Sequence, residues 1–350
     1  MAAVTFSRIA HAPNLSGVRR WLWSVAALGF AMVVVGGATR LTESGLSITE
    51  WKLVTGVVPP LGSDAWQADF DKYKQIPQFA KLFPDMTLAQ FRGIYFWEWG
   101  HRLLGRVVGL VFALPLAWFW LRGRLTPRLK AQLVALLLLG GLQGVVGWWM
   151  VKSGLAGRVE VSQYRLALHL LLASLTFAAL VWIATGLSRA AAAPPLPRRP
   201  RLAGFFLLGL PLLQIGLGAL VAGLRAGLSY NTWPLMDGHF IPPLDDLLRQ
   251  SPAWSNVFEN VTAVQFDHRM LAYALLALAA WHAFDAGRLA PRSGAARRAA
   301  ALAGLVLLQA TLGIATLLLG APLHAALAHQ AVAMLVLGMA TVQARRLAAP

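Results

Sequence analysis

The sequence predicts an all-α integral membrane protein, with eight transmembrane helices arranged as two pseudo-twofold-related four-helix bundles. Three observations predict it. The 350 residues are 57% hydrophobic and only 13% charged, too apolar for a soluble domain of this length. Eight apolar stretches come near or above the ~20 residues that cross a hydrocarbon core of ~30 Å. The four stretches of one half also repeat those of the other, motif by motif. The apolar runs are continuous rather than alternating, which excludes a β-barrel.

The spans are expected at 21–39, 94–121, 129–151, 163–186, 202–224, 263–286, 297–319 and 323–344. Charge orients them. The N-terminal arm (Arg8, Arg19, Arg20), the connections 122–130, 187–201 and 287–298, and the tail (Arg345, Arg346) hold 17 of the 31 basic residues, against a single acid on that side, Asp285 at the end of the sixth span. By the positive-inside rule both termini are cytoplasmic. The net charge of +17 is thus a topology signal and a contact for anionic lipid, not a nucleic-acid surface. The arm runs into the first span without a secretory cleavage signal. A bacterial inner-membrane protein is expected, ahead of a mitochondrial one. With no cysteine, disulfides, thiolate metal sites and cysteine nucleophiles are excluded.

After the first span comes Gly45-Leu46-Ser47, then Trp51, Leu53 and Gly56, then Pro59-Pro60-Leu61. After the fifth comes Gly227-Leu228-Ser229, then Trp233, Leu235 and Gly238, then Pro242-Pro243-Leu244. Glu98 to His101-Arg102 matches Gln265 to His268-Arg269. Gln143 and Gly147 in the third span match Gln309 and Gly313 in the seventh. His169 in the fourth span matches His329 in the eighth. The chain therefore divides into an N-terminal half (1–190), a cytoplasmic Pro/Arg linker (191–200) and a C-terminal half (201–350). An even number of spans per half gives both repeats one orientation, related by an axis along the membrane normal. Segment 61–93 is polar but rich in aromatics, as is its shorter counterpart 245–262. Both are expected as ordered caps at the outer surface. The 14 tryptophans gather near span ends as an aromatic belt.

His101, His169, His268 and His329 begin the second, fourth, sixth and eighth spans, at the outer end. Each half then offers two imidazoles from neighbouring helices, a donor set that suits six-coordinate haem iron. Gly105, Ala173, Ala272 and Ala333, four residues after each histidine, are small enough to admit a flat macrocycle. Small residues also serve plain helix packing. His11, His239, His282 and His324 have no repeat partners and are read as incidental, with His324 near enough to His329 to stay in question. Zinc would want further ligands, and a di-iron centre would want a second Glu-x-x-His.

Glu98 and His101, three residues apart, share a helix face, and an ionisable group there points to function. Gln265 replaces the carboxylate in the second half. Proton chemistry therefore belongs to the first half and electron storage to the second. Desolvation is expected to raise the Glu98 pKa and keep a proton available near neutral pH. The plainer reading is that Glu98 anchors Arg102 or caps the helix. Arg102 and Arg269, with Arg106, Arg165 and Arg225, are candidates for binding carboxylates, or for snorkelling at the interface.

Four motifs carry a family resemblance: Gly36 to Trp51 (GGATRLTESGLSITEW), Tyr95 to Arg106 (YFWEWGHRLLGR), Gly227 to Gly238 (GLSYNTWPLMDG) and Phe266 to Arg269 (FDHR). The chain resembles the haem A synthase family over about residues 20–340, in the cysteine-free form shared by proteobacteria and mitochondria. The resemblance implies that haem O is the substrate and that one ring methyl is oxidised to formyl by successive hydroxylations, giving haem A for cytochrome c oxidase. It implies haem b as cofactor. It assigns His101 and His169 to the substrate iron, His268 and His329 to haem b, and catalysis to Glu98. Arg102 is then expected at the substrate and Arg269 at the cofactor. Expected partners are haem O handed over by a haem O synthase, an electron donor, the bilayer and a further copy of the chain. The alternative is a di-haem electron-transfer protein that modifies no haem. A transporter of parallel repeats would instead need polar groups at the midplane.

Overall fold

The structure is a computed structural model that describes residues 15–155, 157–188 and 197–348. Arg8, His11, Arg189 and most of the 191–200 linker lie outside the described residues. Eight helices are long and apolar enough to span a membrane: α1 (Ser16–Leu41), α4 (Leu88–Leu121), α5 (Pro127–Leu155), α6 (Gln163–Gly186), α7 (Arg198–Gly223), α10 (Val261–Leu289), α11 (Gly294–Leu318) and α12 (Leu323–Ala348). Four short helices, α2 (Ser63–Tyr73), α3 (Pro77–Leu82), α8 (Leu244–Leu247) and α9 (Asn256–Glu259), build the connections. No strand forms among the described residues.

Most helices run a few residues beyond their apolar stretches, and polar side chains cap three of them. Asn260 accepts from the backbone N–H of Thr262 and Ala263, and Ser293 from Ala296. The largest extension is α4, which begins six residues before the apolar run. A capping box of Thr87 and Gln90 starts it there. His101 therefore sits well inside its helix, and the polar start is the α2–α4 cap. In that cap Trp66, Phe70, Tyr73, Phe91 and Tyr95 form an aromatic cluster with Leu46 and Ile76. Trp66 and Tyr95 meet edge-on at 4.9 Å between ring centroids.

The packing has the form that a twofold relation gives. Helix α1 spans 16–41 and α7 spans 198–223, so each position has a counterpart 182 residues on. Glu43 and Arg225 are such counterparts. Both hold left-handed backbone just after their helices (φ 54° and 51°), and they form an ion pair at 2.6 Å. Arg40 donates to the carbonyl of its own counterpart, Ala222. Ser174 on α6 and Met334 on α12 are counterparts by the His169/His329 register, and Ser174 Oγ meets Met334 Sδ at 3.9 Å. Positions that touch their own counterparts lie on an axis of twofold exchange. Around it α1, α6, α7 and α12 form the central layer. Helices α4 and α5 flank one side, and α10 and α11 the other. The peripheral faces are apolar and open, as at Leu138, 68% exposed.

Candidate functional site

The four repeated histidines all lie near one end of the bundle. In the first half, His101 comes from α4 and His169 from α6, close enough for their charges to interact. In the second half, His268 comes from α10 and His329 from α12, again within electrostatic reach. Each ring rests on a glycine of an adjacent helix. A Cβ would stand 2.9 Å from His101 Nε2 at Gly36 and 2.9 Å from His169 Cε1 at Gly147. It would stand 3.2 Å from His268 Cε1 at Gly218 and 2.8 Å from His329 Cε1 at Gly313. Gly36 and Gly218 are counterparts, as are Gly147 and Gly313, so each half seats its two imidazoles in the same way. Any side chain at these positions would displace the ring.

Three glutamines complete the seats. Gln143 Nε2 lies 3.1 Å from His169 Nδ1 and also donates to the His169 carbonyl at 3.0 Å. Gln214 treats His268 alike, at 3.1 and 2.9 Å. Gln309 Nε2 lies 3.3 Å from His329 Nε2. Met32 occupies the place of Gln214 in the first half, and its terminal methyl lies against Gly105. His101 therefore lacks the amide that His268 has. Sequence reasoning recorded Gln143 and Gln309 only as marks of duplication, and it missed Gln214 and Gly218. Their signal was the register itself, since Gln214 and Gly218 fall on the helix that runs straight into the aligned Gly227 motif.

The residues fit haem. An iron-bound imidazole needs an acceptor for its second ring nitrogen. The buried Oε1 atoms of Gln143, Gln214 and Gln309 have no partner among the described residues, nor has His329 Nδ1. Among the described residues no group of three or more His, Cys, Asp or Glu forms.

Glu98 is buried, at 2% exposure, and its surroundings differ from the expected desolvated pocket. Oε2 accepts from Ser47 Oγ and from the backbone N–H of Ile48, both at 2.8 Å. Oε1 accepts from Arg102 Nε at 3.1 Å and from its terminal nitrogen at 2.6 Å. The two oxygens thus take four donors, from Ser47, Ile48 and twice from Arg102. The geometry shows the anchoring of Arg102, the plainer reading of the sequence.

Both arginines clamp loops. Arg102 donates to the carbonyls of Ile48 and Glu50, each at 2.9 Å. Arg269 donates to their counterparts, Tyr230 at 2.8 Å and Thr232 at 2.9 Å. Gln265 donates to Tyr230 at 3.3 Å, where Glu98 has its ion pair. Arg106 likewise holds the carbonyls of Leu53 and Lys52. Beside this clamp lies a cleft of about 360 Å³ lined by Glu50, Lys52, Asp69, Arg102 and Arg106 among others. The hydrogen bond from Lys52, then that from Lys72, holds the Glu50 carboxyl below the usual carboxylate range. Of the remaining histidines, His239 and His324 are exposed. His282 is fully buried near the opposite end of α10, with Gln343 Nε2 3.0 Å from its Nε2.

Residues 19–341 match the family model described as cytochrome oxidase assembly protein. The heme A synthase of Methylobacterium sp. (strain 4-46) is 61% identical over 339 residues, 97% of this chain and 94% of that protein. That of Beijerinckia indica subsp. indica is 57% identical over 330 residues, 93% and 92% of the two chains. That of Rhodopseudomonas palustris (strain HaA2) is 54% identical over 352 residues, 100% and 95%.

Proposed function

Since this chain belongs to the cytochrome oxidase assembly protein family, we infer that it acts as a haem A synthase, a multi-pass enzyme of the bacterial inner membrane. It oxidises a ring methyl of haem O to a formyl group by successive hydroxylations, yielding haem A for cytochrome oxidase. The single observation that supports this most is the duplicated seat. Each half brings two imidazoles onto glycines at one end of the bundle, and only the first half sets a carboxylate one turn away.

The first half is the substrate half in this reading. His101 and His169 would hold the iron of haem O. Gly36 and Gly147 leave the ring edges free of side-chain bulk. Glu98 is the catalytic carboxylate and accepts a proton as the hydroxylated carbon is oxidised. Arg102 holds that carboxylate and the 48–50 backbone in place. Met32 beside Gly105 leaves the His101 ring freer than its counterpart, which suits a site that must release its product.

The second half is the cofactor half. His268 and His329 hold haem b, and Arg269 fixes the loop above it. The amides of Gln214 and Gln309, whose Oε1 atoms have no partner among the described residues, would orient the two rings by accepting from the ring N–H that ligation leaves free. When bound there, haem b supplies electrons one at a time. Both termini are cytoplasmic by the charge distribution, so the histidine end faces outward. Haem O is handed over within the bilayer by the enzyme that makes it.

Pyridine haemochrome analysis of protein purified with and without a haem O supply tests the reading. Formyl-bearing haem should appear only with the supply. Haem b alone under both conditions would refute it in favour of an electron carrier.

A further inference from the structure

The duplication supplies an internal control, because a feature present in one half alone belongs to what that half does alone. One such feature is an open pocket of about 480 Å³ where α5 meets α6, lined by Trp149, Lys152, Ser153, Arg158, Ser162 and Arg165. Three cations line it and no acid does. None of the three pairs with a carboxylate among the described residues. Arg165 donates to the Trp149 carbonyl at 2.7 Å and stacks over the Trp149 ring at 4.1 Å. Lys152 lies over Trp148 at 5.3 Å, and Arg158 reaches Gln163 Oε1 at 3.4 Å. Glu160, the acid of this connection, is turned away to Arg225 at 2.6 Å.

The second half lacks these cations at the corresponding positions. Leu318 stands for Lys152, Ala315 for Trp149 and Ala325 for Arg165 in the registers set by Gln143/Gln309 and His169/His329. The shorter connection of that half has no counterpart of Arg158. An uncompensated cluster of cations in the half that binds substrate calls for an anionic ligand.

The place of the pocket identifies the anion. Arg165 lies one turn, about 6 Å, before His169 on the same helix face. Trp149 follows Gly147, the seat of the His169 ring, by two residues. Arg102 and Arg106, the other basic groups near this half's histidines, already hold loop carbonyls. We propose that Lys152, Arg158 and Arg165 form the carboxylate site of this half, receiving the propionates of the haem substrate while His169 meets its iron. This rests on assigning the first half to haem O. The remaining hydrogen-bond capacity of Arg165 and the free ammonium of Lys152 reach outward into the pocket, where two carboxylates on one porphyrin edge present matching acceptors. A phospholipid phosphate shares the chemistry, so the test separates the two.

The probes are haem O and its dimethyl ester, titrated by visible spectroscopy into haem b-loaded protein in phosphatidylcholine nanodiscs. Wild type should bind haem O roughly tenfold more tightly than the ester, as two or three partly exposed ion pairs allow. The Lys152→Gln/Arg158→Gln double variant should bind haem O as weakly as the ester, with ester affinity and haem b content unchanged. Equal affinity of wild type for haem O and ester, or a preference intact in the variant, would overturn the proposal. So would a variant that keeps the preference but no longer retains phosphatidylglycerol in nanodiscs of that lipid, which marks a headgroup site. His169→Ala should abolish the low-spin band of added haem O. Persistence of that band would sink the underlying assignment of the first half. Its loss, alongside an unaffected double variant, would sink the carboxylate site alone.

Discussion

Replacing Glu98 with glutamine separates a carboxylate that does chemistry from one that only holds a loop. The carboxylate accepts four donors, from Ser47, Ile48 and twice from Arg102, at 2.6 to 3.1 Å. An amide keeps one acceptor oxygen and turns an NH₂ group toward the other donors. Breaking a buried ion pair on one side costs roughly 3–5 kcal/mol. Arg102 keeps 13% side-chain exposure and retains its bonds to Ile48 and Glu50, so the lower end applies, about 3 kcal/mol. The other half shows that an amide is tolerated at this place, since Gln265 sits beside the same kind of arginine clamp. The variant should therefore fold and retain both haems. Oxidation should fall by roughly 10²-fold or more, the usual weight of a proton-transfer group. Haem O or its alcohol should accumulate. The assay is haem extraction and chromatography, normalised to resident haem b. Ser47→Ala is the control. It removes one donor for about 1 kcal/mol and leaves the carboxylate, so haem A yield should persist. A normal yield from Glu98→Gln would refute the catalytic role. An equal stall in Ser47→Ala would show that loop position, not the carboxylate, is what matters.

Three further outcomes follow from the same geometry. Replacing His268 or His329 with Ala should leave the purified protein depleted of haem b, and an unchanged low-spin spectrum in both variants would contradict the cofactor assignment. Gly147→Ala and Gly313→Ala each put a methyl within 2.9 Å of a histidine ring. They should weaken haem binding in their own half and spare the other, while Gly140→Ala, which meets open space, should be silent by spectroscopy. Reporter fusions at residues 125, 195 and 292 should all read cytoplasmic, and an external signal at any of them would break the orientation.

The sequence by itself determined the number of spans, the duplication and the histidine pairs. Those features are local and periodic: a run of apolar residues, or a motif recurring in register, keeps its meaning without a partner. It also exposed the exchange of Glu98 for Gln265 beside the histidine motif. What it left open was every property that depends on which side chain faces which. Only the tertiary structure showed that Glu98 sits among four donors, because Ser47 and Ile48 come from a loop some fifty residues away. Only it turned Arg102 and Arg269 into loop clamps, since the carbonyls they hold carry no signature of their own in a sequence. The seats of the histidines were hidden for a related reason. In a chain with 32 glycines, Gly36, Gly147, Gly218 and Gly313 look like any others. Their importance comes from an imidazole of a neighbouring helix packed where a Cβ would be, and close packing between helices is decided by the fold as a whole.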